Sequence, residues 1–264
     1  MNSAFPPLRL TYGSHPQNFA DLRVPPSRGP HPVVVSIHGG FWMSAFGLDL
    51  HDELCESLTA SGIATWNIEF RRIGDAGGGF PGTFIDVGKA IDFLLDLAPM
   101  HNLDLKRVVT LGHSAGGHLA LWAAARLKLS VQDSLMSGAE TVLGLRAAVS
   151  LAGVCDLRYA WQKKLGGGAV PALLGGAPDK MPARLASASP AELLPFGVQQ
   201  ILIHGTKDNL VPIEISRLYS ETARAKGDTV ALIELDGAGH FELIDARSRE
   251  WMRILQEVLF IVEK

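Results

Sequence analysis

Residues 107–127 read RVVTLGHSAGGHLALWAAARL. Arg107 to Leu111 is an apolar, β-branched run of strand length, and Ala115 to Leu127 is rich in Ala and Leu, both strong helix formers. Between them, Gly112-His113-Ser114-Ala115-Gly116 must reverse the chain within a few residues, so the stretch predicts a strand, a sharp turn with Ser114 at its apex, and a helix. Val108 to Ala125 carries no Asp, Glu, Lys or Arg over about 18 residues, the length of a membrane span. Gly112, His113, Ser114, Gly116, Gly117 and His118 fall at its centre, where a bilayer helix is most apolar, so no span is expected.

Working outward, short apolar runs alternate with longer helical patterns. Val33–Ile37, Ala64–Phe70, Arg107–Leu111, Arg146–Leu151, Gln200–His204 and Val230–Leu235 are strand candidates. Their continuous apolarity fits strands buried on both faces, as in a parallel sheet. Helices are expected over Leu50–Ser61, Thr83–Leu97, Ala115–Leu127, Ile213–Lys226 and Ala246–Glu263, which makes an α/β, doubly wound, mostly parallel sheet. Leu8–Tyr12 and Ala20–Val24 flank the turn residues GSHPQN and predict an antiparallel hairpin at the start. From Gly153 to Pro195 the alternation stops, so residues 153–195 are expected to form a lid or cap inserted in a single domain spanning 1–264.

Composition removes several classes of function. With 24 Lys plus Arg against 27 Asp plus Glu, and no long basic run, there is no footprint for nucleic acid and no polybasic membrane anchor. The start, MNSAFPPLRLTYG, lacks a basic region followed by an apolar stretch, so no secretion signal is expected and a cytoplasmic location is. Cys55 and Cys155 form no CxxC or Cys/His cluster and read as buried thiols. No metal site, dinucleotide fingerprint or phosphate loop occurs, so no cofactor is expected. Oligomeric state is left open.

A serine hydroxyl needs a base to attack a carbonyl, and the base needs an orienting acid. His240, in Gly237-Ala238-Gly239-His240, follows the strand Val230–Leu235, and Asp208 follows the strand Gln200–His204, so both belong to the sheet edge that carries Ser114. Asp156 is the rival acid. Asp236 is too near His240 in sequence, and Asp245 reads as a cap of the last helix. His113 and His118 suit structural roles, while His15, His31, His51 and His101 read as loop or surface residues. The stretch His38-Gly39-Gly40-Phe41-Trp42 follows the strand Val33–Ile37, and its amides, with that of Ala115, suit an oxyanion hole. His38 is expected to brace that loop. Phe41 and Trp42 either wall the substrate pocket or belong to the core. Arg71 and Arg72 either bind a substrate carboxylate or pair structurally.

The chain order Ser, Asp, His, together with HGGFW and GHSAGGHLA, resembles the α/β-hydrolases of the esterase/lipase kind, and is similar to bacterial kynurenine formamidase-like esterases and hormone-sensitive-lipase relatives. The segments HGTKDNLVP and GAGHFELID also resemble the catalytic domain of prolyl oligopeptidase-type peptidases. The resemblance runs from the hairpin near Leu8 to the final helix. It implies a triad of Ser114, Asp208 and His240, and oxyanion amides from Gly40, Phe41 and Ala115. Lipase relatives usually carry Asp before the nucleophile where this chain has His113, which shifts the likeness toward the formamidase and peptidase branches. The expected reaction is hydrolysis of a small carboxylic ester through an acyl-enzyme. The alternatives are an aryl formamide or peptide substrate, and a catalytically silent binding fold. Glycine, 28 of 264 residues, gathers in this machinery: Gly39, Gly40, Gly112, Gly116, Gly117, Gly205, Gly237 and Gly239 lie in the site loops, and Gly166, Gly167, Gly168, Gly175 and Gly176 in the lid.

Overall fold

A computed structural model describes residues 4–263 except 131, 137 and 139. Among these, the strands are β1 (Leu8–Thr11), β2 (Phe19–Arg23), β3 (His31–Ile37), β4 (Ala64–Ile68), β5 (Leu103–His113), β6 (Ala147–Leu151), β7 (Gln199–Gly205) and β8 (Val230–Leu235). They form one sheet in the order β1-β2-β4-β3-β5-β6-β7-β8. The pairs β1·β2 and β2·β4 are antiparallel and the remaining pairs are parallel, as the hairpin and the continuously apolar runs require.

Alternate side chains of the central strands enter two separate cores. Val33, Val35 and Ile37 face one side with the helices α2 (Gly82–Asp92), α3 (Leu94–His101), α4 (Ala115–Ala125) and α9 (Glu214–Ala225). Val34, Val109, Leu111, Val149 and Ile203 face the other with α1 (Asp52–Ala60) and α10 (Arg249–Glu263). Every residue of α4 is buried, which explains why its sequence is apolar all round instead of striped.

Three local expectations change. The helix expected over Thr83–Leu97 is two, α2 and α3, meeting at Phe93; Pro99 inside α3 also withdraws the amide that would bond the Leu95 carbonyl. The last helix begins at Arg249, and its first turn is capped by Ser248, whose Oγ accepts from the Trp251 amide at 2.9 Å. Asp245 instead accepts from the Arg247 amide at 2.9 Å. Between β6 and β7 the segment expected to lack regular pattern holds the short helices α5 (Leu157–Gln162), α6 (Ala169–Leu174), α7 (Pro182–Ala188) and α8 (Pro190–Leu193). Each is too brief to show a helical period before a Gly or Pro interrupts it. Val170, Leu173, Leu174 and Leu185 bury into the α4 side of the sheet. Trp122 Nε1 donates to the Ser187 carbonyl at 3.0 Å, which ties α7 to α4.

The strand-turn-helix at Ser114 is possible only because two glycines lack a side chain. A Cβ on Gly112 would lie 2.0 Å from the Gly116 carbonyl oxygen, and one on Gly116 would lie 1.9 Å from the Ile37 carbonyl oxygen. Backbone meets backbone, so nothing can swing aside. Gly116→Ala is therefore expected to cost about 3 kcal/mol or more of unfolding free energy in urea titration. Gly62→Ala, at φ +91° but with open space around it, is expected to cost only about 1 kcal/mol.

Candidate active site

Ser114 sits between β5 and α4 at φ 56° and ψ −118°, a conformation that L-residues adopt only under constraint. Its amide donates to the Leu151 carbonyl at 2.8 Å, and its carbonyl accepts from Val154 at 3.2 Å, so the apex is stitched to the end of β6. Ser114 is the N-cap of α4, where the first amides lack helical partners and the dipole is positive.

The loop after β7 brings Asp208 against His240. Nδ1 of His240 and Oδ2 of Asp208 are 2.6 Å apart. Oδ1 of Asp208 accepts from the Leu210 and Val211 amides, both at 2.9 Å. Burial pushes this carboxyl up, but bonding to His204, His240 and the Val211 amide outweighs it and holds the group well below the usual carboxylate range. His204 was legible only as a strand residue. Its Nε2 lies 3.4 Å from Asp208 Oδ2 and 2.8 Å from the Val211 carbonyl, and its Nδ1 is 2.8 Å from Ser216 Oγ. A histidine ending an otherwise apolar strand four residues before the acid was the available signal. Asp156, the rival acid, caps α5 through the Arg158 and Tyr159 amides instead.

His113 joins His240 to the strand that leads into Ser114. Its Nε2–H donates to the His240 carbonyl at 2.9 Å, and the two rings are 4.4 Å apart. Burial and the neighbouring His240 push His113 down to about 3, so it stays neutral. Among the described residues no hydrogen bond joins Ser114 Oγ to His240, a contact that is commonly long before substrate binds.

The stretch 38–43 approaches the Ser114 turn closely enough that a Cβ on Gly39 would lie 3.2 Å from Ser114 Cβ. Gly40, Phe41 and Trp42 run through positive φ at 103°, 49° and 59°, which turns successive peptides of the loop. Among the described residues the amides of Gly40, Phe41 and Ala115 donate no hydrogen bond. Phe41 is half-buried, and a Cβ on Gly166 would meet its ring at 2.5 Å, so the 153–195 segment lies against this loop. Trp42 is a core side chain, 1% exposed, and its Nε1 donates to His118 Nδ1 at 3.2 Å. His118 in turn donates from Nε2 to the Ala188 carbonyl at 2.9 Å, and burial pushes it down to about 4.

Other sequence readings resolve by contact. Arg71 makes a bidentate pair with Asp86 at 2.6 and 2.7 Å, and Arg72 pairs with Glu69 and Asp75 at 3.1 and 3.2 Å, so both are structural. His51, read as a loop or surface residue, is fully buried with Nδ1 2.8 Å from Ser36 Oγ; His31, also read so, is 5% exposed at the start of β3. Cys55 and Cys155 are buried thiols, pushed up by burial, Cys55 to about 11. Among the described residues no group of three His, Cys, Asp or Glu side chains is placed to hold a metal ion, and no helix is long and apolar enough to cross a membrane.

A parallel sheet flanked by helices, with a hairpin at one end and a serine at the strained turn after its central strand, defines the α/β-hydrolase fold. The BD-FAE family matches residues 20–222, and the chain belongs to it. Among curated proteins the chain is 27% identical to "Esterase LipC" of Mycobacterium tuberculosis over 90% of its own length and 60% of that protein's. It is 24% identical to "Probable isoprenylcysteine alpha-carbonyl methylesterase ICME" of Oryza sativa subsp. japonica over 89% of its length and 58% of that protein's. The chain thus spans about three-fifths of the length of these relatives. Among solved structures, a "Truncated form of carbohydrate esterase from gut microbiota" superposes with a TM-score of 0.82 over 100% of this chain and 99% of that one, at 19% identity, a likeness of fold.

Buried neutral histidines make the fold sensitive to acid. His113 and His118 bind protons more weakly when folded than their ordinary value of about 6.5. Their stabilising contribution is full above that pH and is lost as the pH falls toward about 3 and about 4. Urea unfolding at pH 4.5 against pH 7 should show a loss on the order of 2 kcal/mol for each of them. An unchanged midpoint would mean that these rings are not buried as described.

Proposed function

We propose that this protein hydrolyses small carboxylic esters through an acyl-enzyme formed on Ser114. The observation that carries the reading is the 2.6 Å contact between Asp208 and His240, next to a serine held at φ 56°. The unpartnered amides of Gly40, Phe41 and Ala115 support it, as do relatives named as esterases.

In this reading Asp208 holds His240 with its proton on Nδ1, leaving Nε2 free to accept. As Ser114 Oγ attacks the carbonyl carbon, its proton passes to Nε2, and the carbonyl oxygen gains negative charge facing the amides of Gly40, Phe41 and Ala115. Collapse breaks the bond to the alcohol, which leaves with the proton from Nε2, and the acyl group remains on Ser114. Water then gives a proton to His240 and attacks the acyl carbon, releasing the acid and restoring the serine. His113, neutral and bonded to the His240 carbonyl, keeps the base in place without competing for its proton.

Residues 153–195 act as the cap over this site. Within that segment Trp161, Leu165, Val170 and Pro171 wall a cavity of about 640 Å3, whose lining includes neither Ser114 nor His240. Its polar neighbours, Gln162 and Lys164, stand at the same cavity.

The test is turnover of p-nitrophenyl acetate and butyrate beside an aryl formamide. Wild type should favour the esters and be labelled at Ser114 by a fluorophosphonate. Ser114→Ala should abolish both, and Asp208→Asn should lower kcat by roughly 10³-fold or more, because the imidazole loses its orienting charge. Full turnover by Ser114→Ala would sink the reading, and a preference for the formamide would move it to amide hydrolysis.

A further inference from the structure

A second carboxylate–histidine pair lies beneath the 38–43 loop. His38 is fully buried, with Nε2 2.9 Å from Glu69 Oε1, Nδ1 2.9 Å from the Gly39 carbonyl oxygen, and its ring stacked on Phe70 at 4.6 Å. Glu69, just past the end of β4, is itself 4% exposed. Its Oε1 also accepts from the Phe70 amide at 3.1 Å, and its Oε2 from the Leu48 amide at 3.2 Å and Arg72 Nη1 at 3.1 Å. The other partners of this carboxylate are N–H donors, and the Gly39 carbonyl accepts from His38 Nδ1–H.

The geometry of one peptide plane gives this pair a consequence. In a trans peptide the C=O of one residue and the N–H of the next point in opposite directions. Holding the Gly39 carbonyl on His38 therefore aims the Gly40 N–H the other way, and that amide is one of those without a partner. The next plane is held similarly: the Gly40 carbonyl accepts from the Met43 amide at 2.9 Å, which aims the Phe41 N–H away from it. The second anchor is backbone and independent of side chains. The first depends on His38, and His38 is locked by Glu69.

We propose that Glu69 and His38 are positioning residues that aim the Gly40 amide at the developing oxyanion. The inference rests on the reading of Ser114 as the nucleophile. A misaimed donor weakens stabilisation of the transition state while leaving ground-state binding nearly intact, so the effect falls on kcat and not on KM.

Three variants test it: His38→Ala, His38→Asn and Glu69→Gln, each measured for p-nitrophenyl butyrate kinetics, for inhibition by an alkyl trifluoromethyl ketone, and for thermal unfolding. The ketone forms a tetrahedral adduct whose oxygen occupies the same hole. His38→Ala should lose about tenfold to a hundredfold in kcat, less than or comparable to removing a donor outright, with KM changed by less than about twofold. Inhibition by the ketone should weaken by a similar factor. Asn Nδ2 takes the place of His Nδ1, so His38→Asn should recover part of the loss, and Glu69→Gln should show the same kcat defect in milder form. If His38→Ala does not fold, the other two carry the comparison. Wild-type kcat and ketone affinity in folded His38→Asn and Glu69→Gln, or a defect confined to KM, would overturn the inference. If wild type turns over ester and is labelled at Ser114 while the variants match it, only this inference falls. A wild type that does neither removes the reading of the site together with it.

Discussion

The structure depends on one close approach of three backbone segments around Ser114. The end of β5, the first turn of α4 and the end of β3 pass so near one another that Gly112 and Gly116 each face a carbonyl oxygen at about 2 Å from where a Cβ would stand. That contact forces Ser114 into positive φ, and it sets α4 across the middle of the sheet with all of its residues buried. The Leu151 carbonyl, bonded to the Ser114 amide, then ties the apex to the neighbouring strand. Strain at the apex persists because packing on every side over-determines it.

Around this turn, buried histidines serve as rigid polar connectors. His113 and His204 each fasten a loop to the sheet edge through a backbone carbonyl, His118 ties α7 to α4 in the same way, and His38 bonds a carbonyl within its own loop. Imidazole suits the task because its two nitrogens reach in divergent directions from a flat ring that packs like an apolar one. Burial keeps His113 and His118 neutral, so His113 adds no stray charge beside His240. Asp208 is the exception that stays ionised, because donors on both of its oxygens keep it so.

Much of this was legible from residue order. Apolar β-branched runs with regular spacing located the parallel strands from β3 to β8, since the inner strands are largely buried on both faces and even the half-buried edge strand β8 keeps an apolar run. Ser114, Asp208, His240 and the 38–42 loop were visible because each follows a strand and so belongs to one edge of the sheet. Other features were not. Whether Asp208 or Asp156 meets His240 depends on where two loops travel after leaving adjacent strands, and Asp156 turned inward to cap α5. His51 looked like a surface residue because its segment is polar, yet it packs wholly beneath the sheet edge against Ser36. The short helices between β6 and β7 escaped notice because each spans fewer than two or so full turns of clear period.

By itself, the sequence determined the alternation of strands and helices, the strand-turn-helix at Ser114, and the candidate nucleophile, base and acid, because periodicity and glycine placement are local properties. Tertiary structure alone decided which carboxylate faces His240, that Trp42 is core while Phe41 meets the 153–195 segment, and that Glu69 reaches His38 across 31 residues of chain. Those outcomes turn on distances of a few ångströms between segments far apart in sequence, and only the packed sheet sets them.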